Sequence, residues 1–401
     1  MEKVILAGPH LPEMIHFEEE IEEMMQLILA CEMEVECVIT QNLRSINKKT
    51  CLNQGKIEEI GHQLQIKDIH VVVFNCDLSP SQQQELEKTW QCEVMDRTYL
   101  ILSIFQRRAK TKEAFLQVEV ATLQYFLPRL KGSYTHMDRQ KGGNRNKGMG
   151  EKKIEIDSRT ISKQIQRAKK ELKELEGQRN LQRKQRNKNG IKKVCLVGYT
   201  NTGKSSLLNA CSDKQVFEKD MLFATLTTNT RKITYNNHSF LLSDTVGFVS
   251  NLPHTLIEAF HSTLEEVQEA DLLIHVMDAS SSSLIQQKLT TQETLKDIHA
   301  DSIPVLNVYN KCDLTDIEYP RKENDQLYIS VKEDVSVLLK TIDEMLFSSK
   351  IVKLKIPYGN LINDINKGSK VIDVEYQDDG VLMEVEMDEK TISYYEKYLE
   401  S

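Results

Sequence analysis

The residues with the clearest chemistry lie at positions 198–205, where Gly198, Tyr199, Thr200, Asn201, Thr202, Gly203, Lys204 and Ser205 form G-x-x-x-x-G-K-S. The preceding run Lys193–Val197 is apolar and strand-like, and Ser206–Asn209 continues as helix. That strand–loop–helix context is the one a phosphate loop needs: glycines let backbone N–H groups converge on phosphate oxygens, and the helix start adds positive potential. Lys204 is expected to reach the β- and γ-phosphates, the Ser205 hydroxyl to ligate Mg²⁺, and Ser206 to close the cradle. Asp244, Thr245, Val246 and Gly247 form D-x-x-G after the strand Phe240–Ser243, about forty residues downstream. Asp244 is expected to act on the same metal, and the Gly247 N–H to meet the γ-phosphate.

Asn310, Lys311, Cys312 and Asp313 (N-K-C-D) choose the base. A carboxylate at Asp313 accepts hydrogen bonds from guanine N1–H and its 2-amino group. Adenine has neither donor, and a site built around a donor rejects analogues lacking it by orders of magnitude. Asn310 faces the N7/O6 edge in this reading, and the Lys311 stem covers the ring. Ser330, Val331 and Lys332 fit the last loop, with a backbone N–H toward guanine O6. The bound molecules are then GTP and GDP, with Mg²⁺ as cofactor. Switch I falls between Asp220 and Arg231. Within Phe223, Ala224 and Thr225, the hydroxyl of Thr225 is chosen as a metal ligand that engages only with a γ-phosphate, Thr227 and Thr228 being rivals. Lys204, Thr225 and Gly247 form the expected catalytic set. Ras-like proteins place a water-orienting Gln directly after D-x-x-G. Here that residue is Phe248, so slow intrinsic hydrolysis completed by a partner is expected.

The elements that must position these groups belong to a chain of 401 residues, too long for one ordinary core. The reading is an α/β multidomain protein: an N-terminal α/β domain over 1–110, a helical hairpin arm with a glycine-rich basic tip over 111–189, a P-loop GTPase (Ras-like) domain over 190–348 and a small C-terminal α+β domain over 349–401. Val4–Ala7, Val35–Ile39 and Val71–Phe74 read as buried strands. Glu18–Leu29 and Lys56–Leu64 between them read as helices, with Ser79 capping another and Pro80 at its first position. Alternating strands and helices imply a small parallel sheet. Thr98–Arg129 reads as helix throughout, Gly132–Gly150 as a glycine-rich loop, and Ile154–Asn187 as a long charged helix pairing back on the first. In the last segment Ile351–Ile356, Val371–Tyr376 and Val381–Met387 read as strands, Leu361–Asn366 as helix and Asp378-Asp379-Gly380 as a hairpin turn.

The whole chain carries −8, yet residues 129–193 hold 21 Lys/Arg against 7 Asp/Glu, a net +14. Such asymmetry predicts a basic surface for a polyanion. No apolar run reaches the roughly 18–20 residues a bilayer crossing needs. The N-terminus has no secretory signal pattern. The eight cysteines contain no C-x-x-C pair and suit reduced, buried thiols, and the ten histidines form no ligand-like cluster. The expected setting is cytoplasmic, with peripheral membrane association left open.

In combination, several segments resemble the HflX family of the Obg–HflX superfamily. Those in the nucleotide-binding region are Gly198–Asn209 (GYTNTGKSSLLN), Leu222–Leu226 (LFATL), Asp244–Leu252 (DTVGFVSNL), Leu256–Glu266 and Ala270–Asp278. Outside it, Gln54–Ile60, Leu78–Gln83, Asp96–Thr98, Leu116–Glu119 and Leu127–Leu130 carry the resemblance across nearly the whole chain. Three places depart from the family pattern: Gly148-Met149-Gly150-Glu151-Lys152 for its G-P-G-E-T, Asn53 for the first glycine of an N-terminal G-x-G-K, and His261 for an arginine. The resemblance implies a GTPase, monomeric off the ribosome, that binds the large ribosomal subunit and the 70S ribosome. It also implies splitting or rescue of ribosomes under stress or antibiotic challenge. The N-terminal domain would approach the peptidyl-transferase region, with residues near 129–193 as a phosphate-contacting arm. Two other readings stand beside it: a nucleotide-switched regulator of a protein or membrane partner, and an RNA-remodelling ATPase using Asn53-Gln54-Gly55-Lys56. A plain helix N-terminus suits that glycine-poor stretch better.

Overall fold

The computed structural model describes residues 1–133, 147–187, 191–212, 229–236, 238–245, 247–248, 266–347, 349–359, 361–362, 365, 369–377 and 380–400. It divides into two compact units, residues 1–232 with 241–334 and residues 233–240 with 335–401.

The first unit begins with a parallel sheet of β1 (Glu2–His10), β2 (Met33–Asn42), β3 (Val71–Phe74) and β4 (Glu93–Met95), in the order β2-β1-β3-β4. Successive strand side chains point to opposite faces. Val4, Leu6, Val71 and Val73 therefore share a core with Met24, Leu27 and Ile28 of α1 (Phe17–Ala30). Ile5, Ala7, Val72 and Phe74 pack on the other side with Ile57, Ile60 and Leu64 of α2 (Gln54–Lys67) and Leu86 of α3 (Pro80–Trp90). Both faces are covered, so the strands read as unbroken apolar runs. Ser79 and Gln82 close a capping box at the start of α3, with Pro80 in its first turn.

The expected single helix over Thr98–Arg129 is two: α4 (Arg97–Arg108) and α5 (Lys112–Ser133). Ala109 is extended, and the Thr111 hydroxyl accepts from the Ala114 N–H at 3.2 Å, a fresh N-cap that periodicity could not reveal. α6 (Lys147–Asn187) pairs with α5 as the sequence implied: Leu116, Val120 and Ala168 bury together, with Ile165, Leu172 and Leu175 against them. The expected loop is shorter than Gly132–Gly150. Gly132, Ser133 and Lys147–Gly150 are helical, because propagating a formed helix outweighs about 1 kcal/mol of glycine penalty. Residues 134–146 lie outside the described residues.

The second sheet of this unit contains β5 (Lys192–Val197), β6 (Asn229–Tyr235), β7 (His238–Asp244), β8 (Leu272–Asp278), β9 (Val305–Asn310), β10 (Arg321–Glu323) and β11 (Gln326–Tyr328). Its order is β10-β11-β9-β8-β5-β7-β6, and the outer ends of β6 and β7 belong to the second unit. β5, β8, β9 and β11 are parallel. Their carboxyl ends gather on one edge of the sheet, with α7 (Lys204–Ala210) following β5 and α8 (Leu284–Asp297) following β8.

The second unit holds α9 (Ser336–Leu346) and an antiparallel sheet of β12 (Ser349–Ile356), β13 (Lys370–Gln377) and β14 (Gly380–Asp388), ordered β12-β14-β13, then α10 (Glu389–Tyr394). Leu354, Ile356, Val381, Met383 and Val385 form its core. Leu361, Ile362 and Ile365 are helical as expected. The remainder of that expected helix lies outside the described residues, as do Asp378 and Asp379. Among the described residues no helix is long and apolar enough to cross a membrane.

Candidate functional site

Five strand ends meet at one edge of the seven-stranded sheet, and the predicted motif residues leave from them. In open α/β sheets this carboxyl edge is where ligands bind. Gly198 leaves the interior strand β5 with φ 142°, and a Cβ there would stand 2.2 Å from the Val276 carbonyl of the neighbouring strand. Gly203 has φ 93°, with its absent Cβ 2.3 Å from Asn310 Nδ2. Both positions demand glycine, by backbone conformation and by closeness to a neighbour.

Lys204 begins α7 and is buried. Its Nζ donates to the Tyr199 carbonyl at 2.5 Å, which also accepts from Thr202 Oγ1 at 3.1 Å. Burial lowers its pKa to about 8, with Asp244 opposing the fall. Ser205 donates from Oγ to Asp244 Oδ2 at 2.7 Å, and Asp244 is fully buried. A hydroxyl and a carboxylate are the hard oxygen donors that Mg²⁺ takes, so the pair fits that ion. Thr245 donates its hydroxyl to the Leu196 carbonyl at 2.6 Å, a structural duty. Gly247 allows the two loops to touch, since a Cβ would lie 2.8 Å from Thr200 Cα and 3.0 Å from Lys204 Nζ. Phe248 pairs its backbone with the loop: its N–H donates to the Gly198 carbonyl at 3.1 Å, and its carbonyl accepts from Thr200 N–H at 2.8 Å. Its side chain is 5% exposed and sits in the apolar core, so it presents nothing to water. Phe223, Ala224, Thr225, Thr227, Thr228 and Val246 lie outside the described residues.

Asn310 ties the loop that carries Val331 to the loop that carries Thr202. Its Nδ2 donates to the Thr202 carbonyl at 2.9 Å, and its Oδ1 accepts from the Val331 N–H at 3.1 Å. Asp313 sits in a 3-10 turn (Cys312–Leu314) and accepts from Ser330 Oγ at 2.9 Å, with Lys332 Nζ 3.5 Å away. The Ser330 bond, then the Lys332 charge, hold its carboxyl below the usual range, keeping it an acceptor. Lys311 takes a left-handed conformation, φ 64°, and pairs with Asp278 at 2.7 Å. Sequence reasoning passed over Asp278. The available signal was a lone acid closing the buried strand LLIHVMD.

A cavity of about 1030 Å³ opens between α1 and the side of the loop that carries Tyr199–Thr202. Glu19, Glu20, Glu23, Asp278, Glu293 and Asp297 line it, and so many carboxylates repel phosphate, so it is not the phosphate pocket. The predicted basic arm also needs one correction. Arg129, its first residue, is used internally: Nη2 meets buried Asp96 at 2.9 Å and the Leu78 carbonyl at 2.9 Å, and Nε meets Gln83 at 2.8 Å. The cations Arg159, Lys163, Arg167, Lys169, Lys170 and Lys173 of α6 are exposed.

Three families of known proteins match in sequence along the chain: "GTP-binding GTPase N-terminal" at residues 18–106, "GTP-binding GTPase Middle Region" at 108–186 and "50S ribosome-binding GTPase" at 193–311. GTPase HflX of Caldanaerobacter subterraneus is 40% identical over 92% of this chain and 88% of its own length. GTPase HflX of Escherichia coli is 39% identical over 77% of this chain and 72% of its own. A GTP-binding protein from Sulfolobus solfataricus, solved in complex with GDP, is 24% identical with a TM-score of 0.47, covering 87% of this chain and 99% of that one. With a P-loop after β5 and this likeness along its length, the chain belongs to the HflX family of GTPases, P-loop enzymes that bind GTP and hydrolyse it to GDP.

Proposed function

We propose that this GTPase acts on the large ribosomal subunit and the 70S ribosome, and that its nucleotide cycle serves splitting or rescue of ribosomes under stress or antibiotic challenge. The observation that carries the reading is the match of residues 193–311 to a family described as a 50S ribosome-binding GTPase, in a chain whose 129–193 segment holds a net +14. Exposed cations on α6 suit phosphate contacts, which fix position on a nucleic acid and make binding fall steeply with salt. Arg129, engaged inside the fold, is not one of them. The protein works in the cytoplasm as a monomer when off the ribosome. The divisions 1–110, 111–189, 190–348 and 349–401 correspond to docking module, arm, GTPase and appendage.

Within the GTPase site, the backbone N–H groups of Gly198–Ser206 grip the phosphates, and Lys204 lies on the β- and γ-phosphates. Asp313, Asn310 and Lys311 read guanine, with the Ser330–Val331–Lys332 loop at its O6. Ser205, Thr225 and Asp244 hold Mg²⁺, which when bound neutralises charge on the phosphates. Gly247 donates its N–H to the γ-phosphate. Since Phe248 is buried where a water-orienting side chain would stand, the ribosome supplies or orders that group, and hydrolysis accelerates on contact.

Sucrose-gradient sedimentation with ribosomes tests this, run with GDP and with a non-hydrolysable GTP analogue. Co-migration with 50S or 70S particles in the triphosphate state, together with stimulated hydrolysis, is the expected result. Fast single-turnover hydrolysis by the protein alone, or no co-migration in either state, overturns it and favours a switch acting on another partner.

A further inference from the structure

We infer that Glu23, held by Arg97, is a positioning residue for the phosphate loop: it acts through Tyr199 and sets how long the site keeps its nucleotide. The inference rests on the reading that Gly198–Ser205 grips the phosphates.

Tyr199, the second residue of that loop, belongs to two places at once. Its backbone is in the loop, where its carbonyl accepts from Lys204 Nζ at 2.5 Å and from Thr202 Oγ1 at 3.1 Å. Its side chain reaches out of the loop to α1, where its hydroxyl donates to Glu23 Oε2 at 2.6 Å. The other oxygen of Glu23 accepts from Arg97 Nη2 at 2.7 Å, with only 6% and 12% of the Arg97 and Glu23 side chains exposed. Hydrogen bonds to a charged partner in a shielded place are the strong ones. The arrangement also answers an electrostatic need. Glu23 shares its cleft with Glu19 and Glu20, and the guanidinium of Arg97, at the start of α4, sets a positive charge against that acidic cluster.

The loop is thereby pinned from both sides. Gly198 and Thr200 are fixed by the backbone of Phe248, and Tyr199 between them by the Glu23 carboxylate. A phosphate held by consecutive N–H groups depends on their relative directions, so freeing one side loosens the grip. Coupling is reciprocal: a bound nucleotide that holds the loop also holds α1 against it.

The test is stopped-flow release of fluorescently labelled GDP from the full chain, in a double-mutant cycle. Tyr199→Phe removes one hydroxyl and leaves the Glu23–Arg97 pair in place. It is expected to speed release about 3- to 10-fold, a fraction of the ratio that a full charged hydrogen bond represents. Glu23→Gln is expected to speed release to a similar degree in the parent and to add nothing in the Tyr199→Phe background. A purely structural role would lower the melting temperature while leaving release unmoved. Release at the parental rate in Tyr199→Phe, or an undiminished Glu23→Gln effect in that background, overturns the inference. Lys204→Ala separates the two layers. If it still holds GDP at parental affinity, the reading of the loop itself fails; if it loses GDP while Tyr199→Phe matches the parent, only the relay fails.

Discussion

After β5 the chain reaches Gly198 and within six residues has entered α7; within β1 it passes Gly8 and simply continues as strand to His10. Both strands lie inside their sheets and have a parallel neighbour, so the architecture beside them is alike. The site is not. Gly198 turns with φ 142°, whereas Gly8 remains paired with Thr40, and its missing Cβ makes room for the Asn75 side chain, whose Oδ1 would stand 1.8 Å away. The helix that follows β1 opens with Glu18, Glu19 and Glu20, which repel an anion where α7 offers Lys204 and Ser205. Asn53-Gln54-Gly55-Lys56 does no better: it is the start of α2, with the Asn53 N–H donating to Gln41 at 2.9 Å and Lys56 paired to Glu59 at 2.7 Å. What separates these two strand ends chemically is a handful of residues after each strand, which is how sites are grafted on folds.

The comparison breaks most readily at its two lysines. Lys204→Ala is expected to weaken GTP binding by about 100-fold or more, since it removes a buried charge-assisted contact, while Lys56→Ala leaves the affinity unchanged. Isothermal calorimetry on both variants decides; a matching loss in Lys56→Ala would place a second nucleotide site on the N-terminal sheet. The glycines give the next contrast. Gly198→Ala meets the Val276 backbone and a forbidden φ and is expected to lose nucleotide outright. Gly8→Ala overpacks a side chain, with about 1–3 kcal/mol lost from stability and GDP affinity within twofold of the parent. Urea unfolding and labelled-GDP titration on the same preparations read both quantities.

On the base side, Asp313→Ala should reduce the preference for GTP over ATP by about 100-fold, leaving ATP affinity roughly as it was. Competition against labelled GDP measures the ratio, and an unchanged ratio would remove Asp313 from base recognition. The most gradual effect is that of pH. Lys204 has its pKa lowered from 10.5 to about 8, so without ligand it is charged below pH 8 and neutral above. A phosphate favours the charged form, so binding takes up a proton above about pH 8. GDP affinity is then flat below pH 8 and falls by up to about tenfold per unit above it. An affinity flat to pH 10 would exclude the ammonium from the grip.

Much of the site was legible because its parts are short and local. A glycine-rich turn between strand and helix, a D-x-x-G and an N-K-C-D each specify a backbone shape or a donor set within a few residues, and their order along the chain matches one sheet. The same locality let Ser79 and Pro80 be placed at a helix start. Locality failed where ends are decided by something nearby in space. The break between α4 and α5 depends on a cap at Thr111. β4 is three residues long and exists through its ladder with β3. The ends of the glycine-rich stretch join α5 and α6 because a helix, once formed, propagates.

The sequence by itself determined the chemistry: which residue types stand in the phosphate and base loops, and that the arm is basic. Those facts follow from side-chain identity and short spacing. Only the tertiary structure decided the partners. Lys311 finds Asp278, Asn310 bridges Thr202 and Val331, Arg129 is spent on Asp96 rather than offered to an outside phosphate, and Tyr199 reaches Glu23 across 176 positions. The physical reason is that a hydrogen bond or ion pair depends on angstroms between atoms, and residues far apart in the chain acquire that distance only when the sheets and helices between them have packed.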